Sequence, residues 1–347
     1  MTLIMSYQKQ SNLVMLGDLL VSNTDYPQKT PLSVPARFDD RFPVSNLDLS
    51  RLEQKIVILN DHLAAAWAGK FIIARSILNE LQNKLIEPYS GEKILSIIDE
   101  MGLLDDEKKS VSFIFYAMKI NENGLPNQVI VQDYLAGETI FDASDHKVKY
   151  AGSGTFHFFE TISFDIKGET GSMNEFERCV ATFLSRSALA FFNEVVSDDA
   201  HNFNYGGGFE LLAPNPIEQR FEKLPFASAF WQVDGKDGLK LIGPILTNQY
   251  TENKELIISR IHYKKNEPIL TRFVVPHMFG VADNDLRMPT PDFDPFWVIH
   301  YILGEEKDNI RLILKKGKEK NICFSMDENG MFSVKHTGEF VAEALDW

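Results

Sequence analysis

Met1-Thr2-Leu3-Ile4-Met5-Ser6-Tyr7, followed after a polar Gln8–Ser11 by Asn12-Leu13-Val14-Met15-Leu16-Gly17-Asp18, is the stretch from which the rest of the chain is read. Two apolar runs flank a short polar turn, so it reads as a β-hairpin that opens on a threonine and closes on an aspartate. There is no basic segment at its start and its apolar runs are far too short for a secretory leader, so no signal peptide is expected. Removal of the initiator Met, which a small second residue permits, makes Thr2 the first residue. A hydroxyl and a free α-amine then share one residue, a self-contained pair of nucleophile and base.

Composition sets the frame. The 347 residues are 44% hydrophobic and 24% charged, an ordinary globular balance, and the length suggests two domains or one with large additions. With only Cys179 and Cys323, neither a disulfide framework nor a Cys-based zinc site is implied. The apolar runs are too short to span a bilayer, so a soluble, cytoplasmic protein with no membrane partner is expected. A formal charge of −14 argues against nucleic-acid binding, which needs a basic face.

Beyond the hairpin, residues 22–54 carry Pro27, Pro31, Pro35 and Pro43 and read as a long irregular loop with short extended pieces. Lys55-Ile56-Val57-Ile58-Leu59 and His62–Gly69 read as strands about an Asn60-Asp61 turn, the second rich in small residues that admit a close neighbour. Helical spacing predicts helices over 71–85 and 91–103. Strands are expected over 110–120, 128–134, 138–142 and 147–152, then a helix over 173–196 opened by Ser172-Met173-Asn174-Glu175, then a strand over 209–213. From about residue 215 a separate β-rich region is expected, with strands over 239–246, 255–263, 269–275, 296–303, 309–315, 321–326 and 331–335. Blocks of helices between mostly antiparallel strands indicate a layered α+β arrangement. His262, His277, His300 and His336 stand singly and read as ordinary surface or core histidines; no metal site and no cofactor site is expected.

Residues 2–213 resemble the proteasome β-subunit family, including its bacterial proteasome-like peptidases, which are N-terminal-nucleophile hydrolases. Thr2 matches the family's N-terminal threonine, and Asp18 falls 18 − 2 = 16 residues later, at the family's spacing. Lys55 matches the active-site lysine, and Gly69, 69 − 55 = 14 residues on, ends an Ala-Trp-Ala-Gly segment like that supplying the oxyanion-hole amide. Gly152-Ser153-Gly154 matches a Gly-Ser-Gly whose serine lies near the nucleophile, and Tyr205-Gly206-Gly207-Gly208 resembles a later Tyr-Ser-Gly-Gly. The chain departs from the pattern in a longer interval between Asp18 and Lys55, in Gly206 where a serine is usual, and in Phe203 where a second aspartate falls, with Asn202, Asn204 and Asp199 nearby.

The resemblance implies an αββα sandwich over 1–214 with a β-rich extension over 215–347. It also implies threonine-type peptidase activity, with Thr2, Asp18, Lys55, Gly69 and Ser153 as site residues. The implied partners are a peptide or protein substrate, a homo-oligomeric ring, and an ATPase or similar feeder. Chemistry on small amides and an inactive scaffold are the two other readings.

Overall fold

The computed structural model describes residues 3–9, 12–22, 49–120, 126–134, 140–142, 147–154, 173–196, 208–215, 217–235, 240–252, 254–264, 267–275, 277–279, 295–304, 310–317, 322–326 and 332–346, and the statements below concern these alone. The opening hairpin forms: β1 (Ile4–Lys9) pairs antiparallel with β2 (Asn12–Asp18), placing Ile4 opposite Gly17. Two short strands, β3 (Leu20–Ser22) and β4 (Leu49–Leu52), pair beside it. Residues 49–52 are thus one of the extended pieces expected at the edge of the Pro-rich stretch; residues 23–48 lie outside the described residues.

The chain continues through β5 (Ile56–Asn60) and β6 (Leu63–Gly69), helices α1 (Phe71–Lys84), α2 (Gly91–Glu100) and α3 (Asp105–Lys108), then β7 (Val111–Ile120) and β8 (Pro126–Tyr134). Next come β9 (Ile140–Asp142), β10 (Lys147–Ala151), the long α4 (Glu175–Val196), β11 (Phe209–Asn215) and β12 (Arg220–Lys223). Two sheets result. One is six-stranded in the order β12-β11-β2-β1-β10-β9, and the other four-stranded in the order β5-β6-β7-β8.

Alternation along the strands decides what each face touches. Ile4, Leu13, Met15 and Leu212 of the first sheet meet Ile56, Ala64, Ala66, Ala68 and Ile114 of the second. The small residues of β6 let the two sheets close upon each other there. Between them Tyr116 donates to the Val14 carbonyl at 3.0 Å and lies 2.6 Å from the Ser6 hydroxyl, satisfying a buried phenol. The opposite face of the first sheet, with Leu3, Met5, Tyr7, Val14 and Leu16, is covered by α4 through Cys179, Val180, Phe183 and Leu184. The opposite face of the second, with Val57, Trp67, Phe113 and Phe115, is covered by α1 and α2. Helix, sheet, sheet and helix therefore stack in that order.

A further sheet follows. β13 (Phe226–Asp234), β14 (Lys240–Glu252), β15 (Glu255–Lys264), β16 (Glu267–Val275), β17 (Trp297–Leu303) and β18 (Ile310–Lys316) pair in the order β16-β15-β14-β13-β17-β18. A β19 (Ile322–Met326) and β20 (Phe332–His336) hairpin and helix α5 (Gly338–Leu345) complete the described elements. Phe226, Phe230, Ile299 and Tyr301 lie in the same apolar cluster as α4, so this sheet backs that helix. Its other face packs Ala227, Ala229 and Trp231 against Phe340 and Ala344 of α5.

Several local expectations need correcting. The second helix stops at Glu100, short of 103, because Gly102 takes φ 64°, the left-handed conformation that ends helices. The cap of α4 is Asn174, whose side chain accepts from the Glu177 amide at 2.8 Å while Glu177 returns a bond to the Asn174 amide, so the box lies two residues beyond Ser172. β12, β13, α3 and α5 carry no expectation from the sequence. β13 lacks polar alternation because both its faces are buried.

Candidate functional site

The end of the first hairpin is built around a buried carboxylate. Asp18 closes β2 with no exposed surface, its Oδ1 accepts from the Leu3 amide at 2.9 Å, and its own amide donates to the Leu3 carbonyl at 3.0 Å. Both bonds fix Leu3, the residue after Thr2. Thr2 itself lies outside the described residues, as do Asp199, Asn202, Phe203, Asn204, Tyr205, Gly206 and Gly207.

Lys55 reaches this carboxylate's neighbourhood because Gly17 leaves room for it. A Cβ on Gly17 would lie 2.8 Å from the Lys55 Cβ and 3.2 Å from Ile56 Cγ1, so the strand ends approach closely only with glycine here. Lys55 is buried, with its Nζ 4.3 Å from the centre of the Trp67 ring, a cation–π contact. Trp67 is held in turn: its amide donates to the Lys55 carbonyl at 2.9 Å and its indole N–H to the Gln54 carbonyl at 3.0 Å.

Gly69 ends β6 two residues beyond Trp67, at the same end of the four-stranded sheet as Lys55. Its φ is 104°, and an added Cβ would fall 2.0 Å from the Ser110 carbonyl oxygen. Gly69→Ala combines a backbone conformation that side chains avoid with a clash against main chain. It is expected to destabilise the protein by roughly 3 kcal/mol or more, read as a lowered urea midpoint; an unchanged midpoint would refute that account. Ser153 is exposed and lies two residues past Ala151, the register partner of Ile4, just after Gly152 at φ 111°. Asp18, Lys55, Gly69 and Ser153 thus occupy one end of the two-sheet sandwich.

Behind Lys55 lies a polar network that the sequence reading misses. Glu210, in the apolar run Phe209–Ala213, pairs with Gly17 in the register of β11 and β2. Its carboxylate accepts from the Ile56 amide and from Lys223 Nζ, which also donates to Gln54 Oε1. Burial pushes the Glu210 carboxyl up and the Lys223 ammonium down, and their mutual attraction opposes both shifts. A charged residue inside an otherwise apolar strand was the available signal. Gln54 then spans outward, its Nε2 donating to the carbonyls of Val275 at 2.7 Å and Lys254 at 3.1 Å. Among the described residues no group of three or more His, Cys, Asp or Glu side chains could hold a metal ion, and no helix is long and apolar enough to cross a membrane.

No protein-family model and no curated protein sequence matches the chain. Among solved structures it has a weak likeness to the crystal structure of eukaryotic HslV from Trypanosoma brucei. The TM-score is 0.35 and the identity 14%, over 60% of this chain and 97% of that one.

Proposed function

We propose that the chain is an N-terminal threonine hydrolase of the proteasome-like type, cleaving peptide bonds through an acyl-enzyme on Thr2. The observation that carries this reading is the buried Asp18 carboxylate bonded to the Leu3 amide, with Lys55 lodged against the adjacent Gly17. A carboxylate and an ammonium buried beside the residue that follows a threonine are what activation of that threonine requires. The stacking of helix, sheet, sheet and helix supports an αββα N-terminal-nucleophile sandwich that includes β12, with the sheet from β13 onward as an appended unit behind α4.

On this reading the Thr2 hydroxyl oxygen attacks the scissile carbonyl carbon while the α-amine takes its proton, directly or through water. The C–N bond then breaks, the departing amine receives that proton, and water hydrolyses the resulting ester to release the acid. Lys55 lowers the pKa of the hydroxyl and keeps the α-amine neutral. Asp18 keeps Lys55 charged and in place, and the Gly69 amide meets the developing oxyanion, with Ser153 near the nucleophile.

The α-amine must be free for any of this. Intact-mass measurement of the purified protein is expected to show loss of Met1, and a fully retained Met1 would sink the reading.

A further inference from the structure

At the open edge of the sandwich, β5 of one sheet and β12 of the other border a cleft of about 590 Å³, within the usual range for small-molecule sites. Ile58 and Lys223 line it from the two edge strands, Asp61 from the turn after β5, Lys254 from the turn between β14 and β15, and His277 from just beyond β16. The cleft is preformed. Gln54, fully buried, bonds Lys223 Nζ on one side and the carbonyls of Lys254 and Val275 on the other, tying together the three segments that wall it.

One end of this cleft holds donors without matching acceptors. His277 is only 8% exposed, its Nδ1 accepts from the Phe279 amide at 3.3 Å, and its proton therefore sits on Nε2. That Nε2 is a buried atom with no hydrogen-bond partner. Lys223 spends two of its three donors on Gln54 and Glu210. Lys254 presents an exposed ammonium at the rim with no acceptor among the described residues. Two acidic side chains, Asp61 and Glu222, also line the cleft. Glu222 is engaged by Arg220 at 2.8 Å and Asn215 at 2.7 Å, and Asp61 sits at the tip of the β5 turn, beside Phe221, whose amide donates to the Asp61 carbonyl.

We propose that this cleft binds a small oxyanion-bearing molecule, a carboxylate or a phosphate, at the end walled by His277, Lys223 and Lys254. The electrostatics agree with that placement. Burial, then the Lys223 and Lys254 ammonium groups, push His277 down to about 4, so the ring is a neutral N–H donor at pH 7 in a positive field. An oxyanion there offsets the Lys254 charge, Lys223 being already paired with the Glu210 carboxylate, and draws the His277 pKa upward. The inference is independent of the threonine chemistry, since the cleft is bordered by β5, β12 and the appended sheet.

The test uses the full chain and needs no hydrolysis. Side-chain NMR of His277 is followed while inorganic phosphate, or separately succinate, is added at constant ionic strength. A saturable shift with a Kd on the order of 1 mM or tighter, together with a rise in the His277 pKa, is expected. The stronger of the two ligands assigns the class, phosphate or carboxylate. Lys254→Met, which keeps the stem and the same backbone demand at φ 69°, should weaken binding roughly tenfold. Failure of both ligands to saturate, or equal affinity in Lys254→Met, overturns the proposal.

Discussion

Thr2→Ala is expected to reduce peptide hydrolysis by roughly a thousandfold or more while leaving the thermal unfolding midpoint unchanged. The substitution deletes the hydroxyl and nothing else that the proposed chemistry uses. The α-amine, the Leu3 amide bonded to Asp18, and the Lys55–Trp67 contact are all retained. Without the oxygen no ester can form, and a water in its place lacks the fixed geometry of a covalent nucleophile. Thr2→Ser restores an oxygen and should restore most of the rate, which separates loss of the nucleophile from general damage. Asp18→Asn keeps an acceptor for the Leu3 amide but removes the charge that holds the buried Lys55, so it should slow turnover and also lower stability. Turnover of a fluorogenic peptide measures all three, and a Thr2→Ala protein as active as the parent rules out the mechanism.

Glu210→Ala is the second large effect and acts on stability. It leaves the Lys223 ammonium buried at 5% side-chain exposure without its carboxylate, and the Ile56 amide without its acceptor. Breaking a buried pair from one side costs about 3–5 kcal/mol, so a marked drop in the urea midpoint is expected. Lys223→Met should cost a comparable amount, because it strands the carboxylate. The double variant Glu210→Leu/Lys223→Met removes both charges together. It should be more stable than the sum of the single effects predicts, the coupling expected of groups in one network. A single Glu210→Ala variant losing under about 1 kcal/mol would show that the pair is not held as described. Because Glu210 anchors Ile56, the same variant should also disturb Lys55, one residue earlier.

Much of the local structure is legible in the sequence. The hairpin over residues 4–18, the strands around residue 61, and the helices beginning at Phe71, Gly91 and Glu175 each carry a periodicity of apolar residues that the backbone obeys. The clustering of Asp18 and Lys55 is legible only jointly, through a resemblance in spacing, and depends in space on the missing side chain of Gly17. β13 escapes notice because its Phe residues face α4 and its Ala residues face α5, leaving no polar face to mark a period. His277 reads as an ordinary histidine, and only the convergence of Gln54, Lys223 and Lys254 places it in a cleft.

The sequence by itself determines most of the elements, their order, and the hairpin that closes on Asp18, because these follow from contacts between near neighbours along the chain. Tertiary structure alone decides that Glu210 meets Ile56 154 residues away, and that Lys223 meets Gln54 across 169. It also decides that a C-terminal sheet closes over α4. Such pairings depend on which faces remain apolar once the elements have formed, and on burial that no single segment can satisfy alone.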